Sequence, residues 1–196
     1  MAERLAGQGL LVIRANFAWM DKAEQAGKPC PPPRIDRLLT ELRAWLEDLD
    51  RPLVLVGKSL GGRVASLLAA DGGSGLVRGC VCLGYPFHPP ARPQQWRTDH
   101  WPRVGLPMLV MQGERDLFGK RDEVVTHLAG LAESVSASVR IRWWSDADHD
   151  LVPGKRSGLD AGQQLQDCSR EVAEFVRECL GAGADPAVQV PVRVIR

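Results

Sequence analysis

Pro52-Leu-Val-Leu-Val-Gly-Lys-Ser-Leu-Gly-Gly-Arg63 decides the fold. Leu53 to Val56 is an apolar run of strand length, Gly57-Lys58-Ser59-Leu60-Gly61 follows it, and the next residues read as a helix through Val64, Leu67 and Leu68. A serine with glycine two residues to either side, set between strand and helix, has the pattern of a nucleophile elbow. The backbone there turns so tightly that the hydroxyl stands clear of the sheet. Gly57 and Gly61 are the expected elbow glycines, and the Leu60 N–H, next after the serine, is the expected oxyanion donor. Such a serine needs a base and an acid to orient that base. Asp116, after a strand at 107–112, and His149, after a strand at 139–144, supply them in the order Ser, Asp, His.

Working outward, strands and helices alternate. Leu10–Ile13 reads as a short strand, and Arg34 to Leu49 carries Ile35, Leu38, Leu39, Leu42, Trp45, Leu46 and Leu49 at helical spacing. After the elbow helix come a strand from Val77 to Leu83, a strand from Met108 to Met111 and a helix from Val124 to Leu131. A strand from Val139 to Trp144 follows, and then a last helix from about Gly162 to Leu180. This order predicts an α/β fold: a three-layer α/β/α sandwich around a mostly parallel sheet. Residues 1–180 form the expected domain and 181–196 an expected flexible tail. Asp71-Gly-Gly-Ser-Gly75 and Lys28-Pro-Cys-Pro-Pro-Pro33 read as surface connections.

Composition fits one compact domain: 196 residues, 44% hydrophobic, 25% charged, net charge +1. That balance carries no nucleic-acid footprint. The apolar runs fall far short of the roughly 20 residues of a membrane span, and no signal-peptide pattern follows Met1. The expectation is a cytoplasmic protein with neither membrane nor nucleic acid as partner. Cys30, Cys80, Cys82, Cys168 and Cys179 match neither a zinc site nor a disulfide framework, so reduced thiols are expected.

The elbow, the Gln112-Gly-Glu-Arg-Asp116 turn and the Asp148-His149 pair resemble the α/β-hydrolase superfamily. More narrowly, Gly57-Lys-Ser-Leu-Gly-Gly-Arg63, Leu83-Gly-Tyr-Pro-Phe-His-Pro-Pro90 and Gln112-Gly-Glu-Arg-Asp-Leu-Phe-Gly119 resemble a small dienelactone-hydrolase-like branch of bacterial proteins. A domain of that branch also occurs in a scaffold subunit of an animal chromatin-modifying complex. The resemblance implies a serine hydrolase acting on a small ester, thioester or lactone through Ser59, Asp116 and His149. Its partner would be a small-molecule acyl substrate, with no metal and no organic cofactor. The rival expectation is an interaction or scaffold domain that keeps the fold without the activity.

One departure from the superfamily pattern stands out. The usual sheet has, before its first helix, a central strand ending in a His-Gly or Gly-rich loop that supplies the other oxyanion donor. Here Met1-Ala-Glu-Arg-Leu-Ala-Gly-Gln-Gly9 reads as the last turns and glycine stop of that helix, so the N-terminal strands are expected to be lacking. The missing strand would lie between Leu10–Ile13 and Leu53–Val56, unless those two close up and pair directly. Either way the second donor is unassigned.

Competing readings of the same residues are weaker. A phosphate-binding loop would need glycine where Pro52 stands. Asp146, Asp148 and Asp150 have calcium-like spacing, but the later positions of such a loop hold Leu151 and Ser157. His127 falls in a helix pattern. His88, Tyr85 and Lys58 are candidate substrate contacts, although structural roles compete for His88 and His100. Arg63 reads as a surface residue or one supporting the site from behind. Trp19, Trp96, Trp101, Trp143 and Trp144 are packing residues first and pocket lining second. Cys80 and Cys82, two apart on a strand, should face one packed layer, and the 85–106 connection is too short for a cap domain.

Overall fold

The computed structural model describes residues 1–131, 137–181 and 194–195. In chain order the elements are α1 (Ala2–Ala6), β1 (Arg14–Ala15), α2 (Ala18–Ala26), α3 (Ile35–Glu47), β2 (Leu53–Lys58), α4 (Leu60–Ala70) and β3 (Val77–Leu83). A 3-10 turn (Trp101–Arg103) precedes β4 (Met108–Gly113), α5 (Arg121–Ala129), β5 (Val139–Trp144), α6 (Ala161–Leu180) and β6 (Val194–Ile195). Strands β2, β3, β4 and β5 lie side by side in that order, all parallel. Parallel neighbours need crossovers, and α4 and α5 supply two of them.

Alternation along β3 sorts the core into layers. Val81 and Leu83 pack with Leu109, Met111, Trp144 and the inner side of α6 (Cys168, Val172, Phe175, Val176). Cys80 and Cys82 face the other way, against Ala65, Ala69, Tyr85, Phe87, Trp101 and Val124. Both cysteines therefore share one packed layer, as their spacing predicts. Helix α3 closes that side, burying Leu38, Leu42 and Leu46 at its i, i+4, i+8 positions against Val64, Leu68 and Val77. The result is the expected three-layer α/β/α sandwich. Among the described residues no helix is long and apolar enough to cross a membrane.

The N-terminal region corrects two expectations. Leu10–Ile13 is not a strand; its Leu10 and Val12 pack toward the α6 layer, while Leu11 (39%) and Ile13 (43%) remain exposed. Nor does it pair with β2, which among the described residues bonds only β3. The reason lies in what precedes it. Gln8 donates from Nε2 to Ser169 Oγ at 2.8 Å, Arg4 Nη1 to Gln166 Oε1 at 2.8 Å, and Arg177 Nη2 to the Gln8 carbonyl at 2.6 Å. These bonds fasten the segment to α6. The bridging residues are instead Arg14–Ala15, paired in parallel with Val194–Ile195 in a separate two-stranded sheet. Gly181 and those two residues aside, the expected tail 181–196 lies outside the described residues.

Helix α2 has no counterpart in the expected element order. It buries no residue and is held by its ends: the Ala18 N–H donates to Glu41 Oε1 at 2.6 Å, Phe17 packs on Trp45 at 4.9 Å between ring centroids, and Gly27 stops it at φ 61.

The 85–106 connection is built around aromatic contacts. Tyr85 meets Phe87 and Trp101 edge-on at 5.0 and 5.3 Å, and the Tyr85 hydroxyl donates to the Arg97 carbonyl at 2.8 Å. His100 lies beneath it with Nε2 2.8 Å from Ser66 Oγ. The Ser66 hydroxyl donates to the Arg63 carbonyl at 2.9 Å, so the His100 ring is the donor to Ser66.

Burial, reinforced by the charges of Arg63 and Arg103, pushes the His100 pKa down to about 4. A ring that resists protonation when folded but accepts a proton near pH 6.5 when unfolded makes stability fall as pH drops from about 6.5 toward 4. The melting temperature of the parent should decline through that window. In His100→Gln the decline should be shallower, as scanning calorimetry across the pH range would show.

Candidate active site

The elbow forms because β2 ends with its last residues against α4. A Cβ on Gly57 would overlap the Gly61 and Gly62 backbone, and one on Gly62 would come within 2.8 Å of the Gly57 carbonyl and 3.1 Å of the Cys82 Cα. Helix and strand therefore touch backbone to backbone at Gly57 and Gly62. Gly61, by contrast, faces open space. The close-approach glycine on the helix side is thus Gly62, not the expected Gly61. Ser59 occupies the turn at φ 51, ψ −116, a conformation that side-chain-bearing residues seldom adopt, and its N–H is tied to the Leu83 carbonyl at 2.9 Å. Leu60 opens α4, so its N–H has no intrahelical carbonyl to bond.

The base and the acid arrive from the ends of the next strands. Asp116 lies in the turn after β4 with no exposed surface. Its Oδ1 accepts the Phe118 N–H at 2.8 Å, and its Oδ2 accepts Gln112 Nε2–H at 2.8 Å and His149 Nδ1–H at 2.7 Å. Because a carboxylate only accepts, Nδ1 carries the proton and Nε2 is free to act as acceptor. Ser59 Oγ lies 2.9 Å from that Nε2. The structure thus brings Ser59, His149 and Asp116 into one hydrogen-bonded row.

Gln112 is the residue sequence reading missed. It is fully buried at the end of β4; its Oε1 accepts the Tyr85 N–H at 2.7 Å, and its Nε2 also reaches the Tyr85 and Gly119 carbonyls at 3.3 Å. No local pattern marks such a group, because its tie to Tyr85 crosses from the end of β4 to the turn after β3. The loop carrying His149 is fixed likewise: Arg115 Nε donates to the Asp146 carbonyl at 2.9 Å, Asp148 Oδ1 accepts the Asp150 and Val152 N–H groups, and the Phe118 ring stands 4.5 Å from the imidazole. Gly84, at φ 61, is needed beneath it, since a side chain there would overlap the His149 carbonyl. The three aspartates of the calcium-like run therefore serve the loop, and among the described residues no acidic, His or Cys cluster could hold a metal.

Two candidate substrate contacts are corrected. Tyr85 has no exposed surface and packs inside the aromatic cluster, and His88 is 2% exposed, edge-on to Trp96 with Nε2 3.4 Å from the Glu123 carboxylate. Both lie in the connection after β3, and their apolar neighbours draw them inward, away from a substrate. Lys58 is exposed beside Ser59, and its ammonium pairs with Asp150. That hydrogen bond holds the Asp150 carboxyl below its ordinary range. Trp101 and Trp144 are core residues, and Trp19, Trp96 and Trp143 pack against the core clusters.

Comparison with known proteins agrees with the fold. The profile of a family described as an alpha/beta hydrolase domain matches residues 1–177. Among solved structures, the Pyrococcus furiosus esterase Pf2001 superposes with a TM-score of 0.58 at 17% identity, over 78% of this chain and 66% of that one. The esterase domain of a Rhodothermus marinus protein gives 0.54 at 16% identity, over 76% and 70%. A Thermus thermophilus protein gives 0.52 at 23%, over 78% and 72%. Identities this low bear on the fold alone.

The glycine contacts set an order of stabilities. Gly57→Ala should destabilise by about 3 kcal/mol or more and Gly62→Ala by roughly 1–3 kcal/mol, since backbone cannot give way as a side chain can. Gly61→Ala should be neutral or up to ~1 kcal/mol more stable, from helix propensity alone. Urea midpoints of the three variants check the order.

Proposed function

The chain belongs to the alpha/beta hydrolase domain family, and from that premise we propose that it is a serine hydrolase cleaving a small ester, thioester or lactone. One observation carries the reading: His149 is engaged at both ring nitrogens, Nδ1 by Asp116 at 2.7 Å and Nε2 by Ser59 at 2.9 Å, while Ser59 sits in a strained elbow.

The chemistry follows from the tautomer. As the Ser59 oxygen attacks the acyl carbon, its proton passes to His149 Nε2, and the resulting imidazolium faces the Asp116 carboxylate. The carbonyl oxygen becomes an oxyanion beside α4, where the Leu60 N–H points to it and the partial positive end of the helix favours it. Collapse of the tetrahedral species expels the alcohol, thiol or hydroxyl, which takes the proton from Nε2. Water then enters and gives a proton to the same nitrogen as its oxygen attacks the acyl carbon; the bond to Ser59 breaks, the acid leaves and the Ser59 oxygen takes the proton back from Nε2. Asp116, anchored from three sides, keeps Nδ1 protonated throughout and so keeps Nε2 facing the serine.

Hydrolysis of a short p-nitrophenyl ester tests the assignment. Ser59→Ala and His149→Ala should each lower kcat by on the order of 10⁴-fold or more, and Asp116→Asn somewhat less, because the three act as one unit. Turnover that persists unchanged in Ser59→Ala would remove the reading, and absence of turnover in the parent protein would favour a hydrolase-fold interaction domain.

A further inference from the structure

Two segments that meet at the site are joined twice. Ser59 Oγ lies 2.9 Å from His149 Nε2, and beside that contact the Lys58 ammonium, from the residue before the serine, pairs with the carboxylate of Asp150, the residue after the histidine. Among the described residues these are the only hydrogen bonds between elbow residues 57–61 and loop residues 146–152. The loop is anchored on either side of the histidine. Upstream, Arg115 Nε holds the Asp146 carbonyl at 2.9 Å; downstream, Leu151 is buried in the α6 layer and its carbonyl accepts Gln164 Nε2–H at 3.2 Å. His149 and Asp150 stand between these anchors, and among the described residues the Asp150 side chain bonds Lys58 alone.

The two cross-links do not last equally through the reaction. Once Ser59 is acylated its oxygen carries no proton, and a neutral His149 presents a lone pair at Nε2. Two acceptors then face each other, and the first cross-link is gone. The Asp116 bond, 2.7 Å at Nδ1, still holds one end of the ring while Nε2 must receive a water. The Lys58–Asp150 pair includes no reacting atom and persists.

We propose that Lys58 and Asp150 are a positioning pair, whose ion pair keeps the His149 loop closed on the elbow during deacylation, when the Ser59–His149 hydrogen bond is absent. This rests on the hydrolase reading and names the stage of the reaction at which the pair acts.

The pair also bears on the charge of the ring. The charged groups around the imidazole are Asp116 at Nδ1, Asp148 and Asp150 on its own loop, and Lys58 from the elbow. The Lys58 hydrogen bond first, and in smaller part the charge of His149, lower the Asp150 carboxyl below its ordinary range, so ring and pair act on one another. Together Lys58 and Asp150 are neutral; separated, they act in opposite directions. Lys58→Met leaves a negative charge that favours the imidazolium, and Asp150→Asn leaves a positive charge that opposes it.

The test uses the full chain and p-nitrophenyl acetate. After excess ester is removed, decay of the acetyl-enzyme, read by intact mass on quenched samples, should slow roughly 3–10-fold in Lys58→Met and in Asp150→Asn, slow no further in the double variant, and recover most of its rate in Lys58→Arg. Histidine ring NMR, with His149 assigned by His149→Gln, should show its titration midpoint at higher pH in Lys58→Met, at lower pH in Asp150→Asn and back toward the parent's in the double variant. Both displacements should shrink in high salt. Melting temperatures should stay near the parent's, because an exposed ion pair adds little stability. Acetylation with unslowed decay in both single variants overturns the pair and keeps the hydrolase reading. A raised KM with unslowed decay in Lys58→Met would instead make Lys58 a substrate contact, and slowed decay that tracks a lowered melting temperature would make the pair merely structural; either overturns the proposal. A parent that forms no acetyl-enzyme removes the hydrolase reading, and the titration then decides alone: midpoints that part as stated keep Lys58 and Asp150 as the pair that sets the ring, and midpoints that coincide overturn it.

Discussion

A carboxylate with no exposed surface, Asp116, is the constraint on which the rest of the site depends. Burying an ionised group is unfavourable unless its lone pairs are met, and here three donors meet them: the Phe118 N–H, Gln112 Nε2 and His149 Nδ1. Two of the three belong to the protein frame whether or not the histidine is in place. Gln112 ties that frame together, because its carbonyl also holds the Tyr85 N–H and so locks the turn after β3 to the end of β4. Without it Asp116 would lose a donor in a place water does not reach, and the imidazole its fixed anchor.

The same economy governs the elbow. Ser59 is held in a rare backbone conformation by the Leu83 carbonyl behind it and by the Gly57–Gly62 contact beside it. A second serine–histidine pair in the fold shows what that geometry adds. Ser66 and His100 are as close, at 2.8 Å, but the Ser66 hydroxyl is spent on a helix carbonyl and the His100 ring, its basicity lowered by burial, donates to the serine. Proximity is alike in both pairs; the direction of the proton differs.

Much of this was legible in the sequence. The strands at Val77–Leu83 and Val139–Trp144 match their expected bounds, and the positions of Ser59, Asp116 and His149 after β2, β4 and β5 put them at one end of a parallel sheet. Leu10–Ile13 does not form the expected strand because a short continuous apolar run fits any extended segment; side-chain bonds to α6, invisible locally, decide where it goes. Helix α2 escaped because no residue in it is fully buried and Trp19 alone of its side chains packs on a core cluster, too little for an apolar stripe to read. Gln112 and Gly62 matter in part through Tyr85 and Cys82, far away in the chain, and the inward turn of Tyr85 and His88 follows from neighbours that only the folded connection supplies.

The central proposal is that Ser59, alone among the serines of the described residues, is the hydroxyl set up to lose its proton. Intact mass measurement and peptide mapping after exposure to a fluorophosphonate test it most directly. The account predicts a single adduct, on the peptide carrying Ser59, with Ser66 unmodified. Absence of an adduct on the folded protein, or an adduct on any residue other than Ser59, would contradict it.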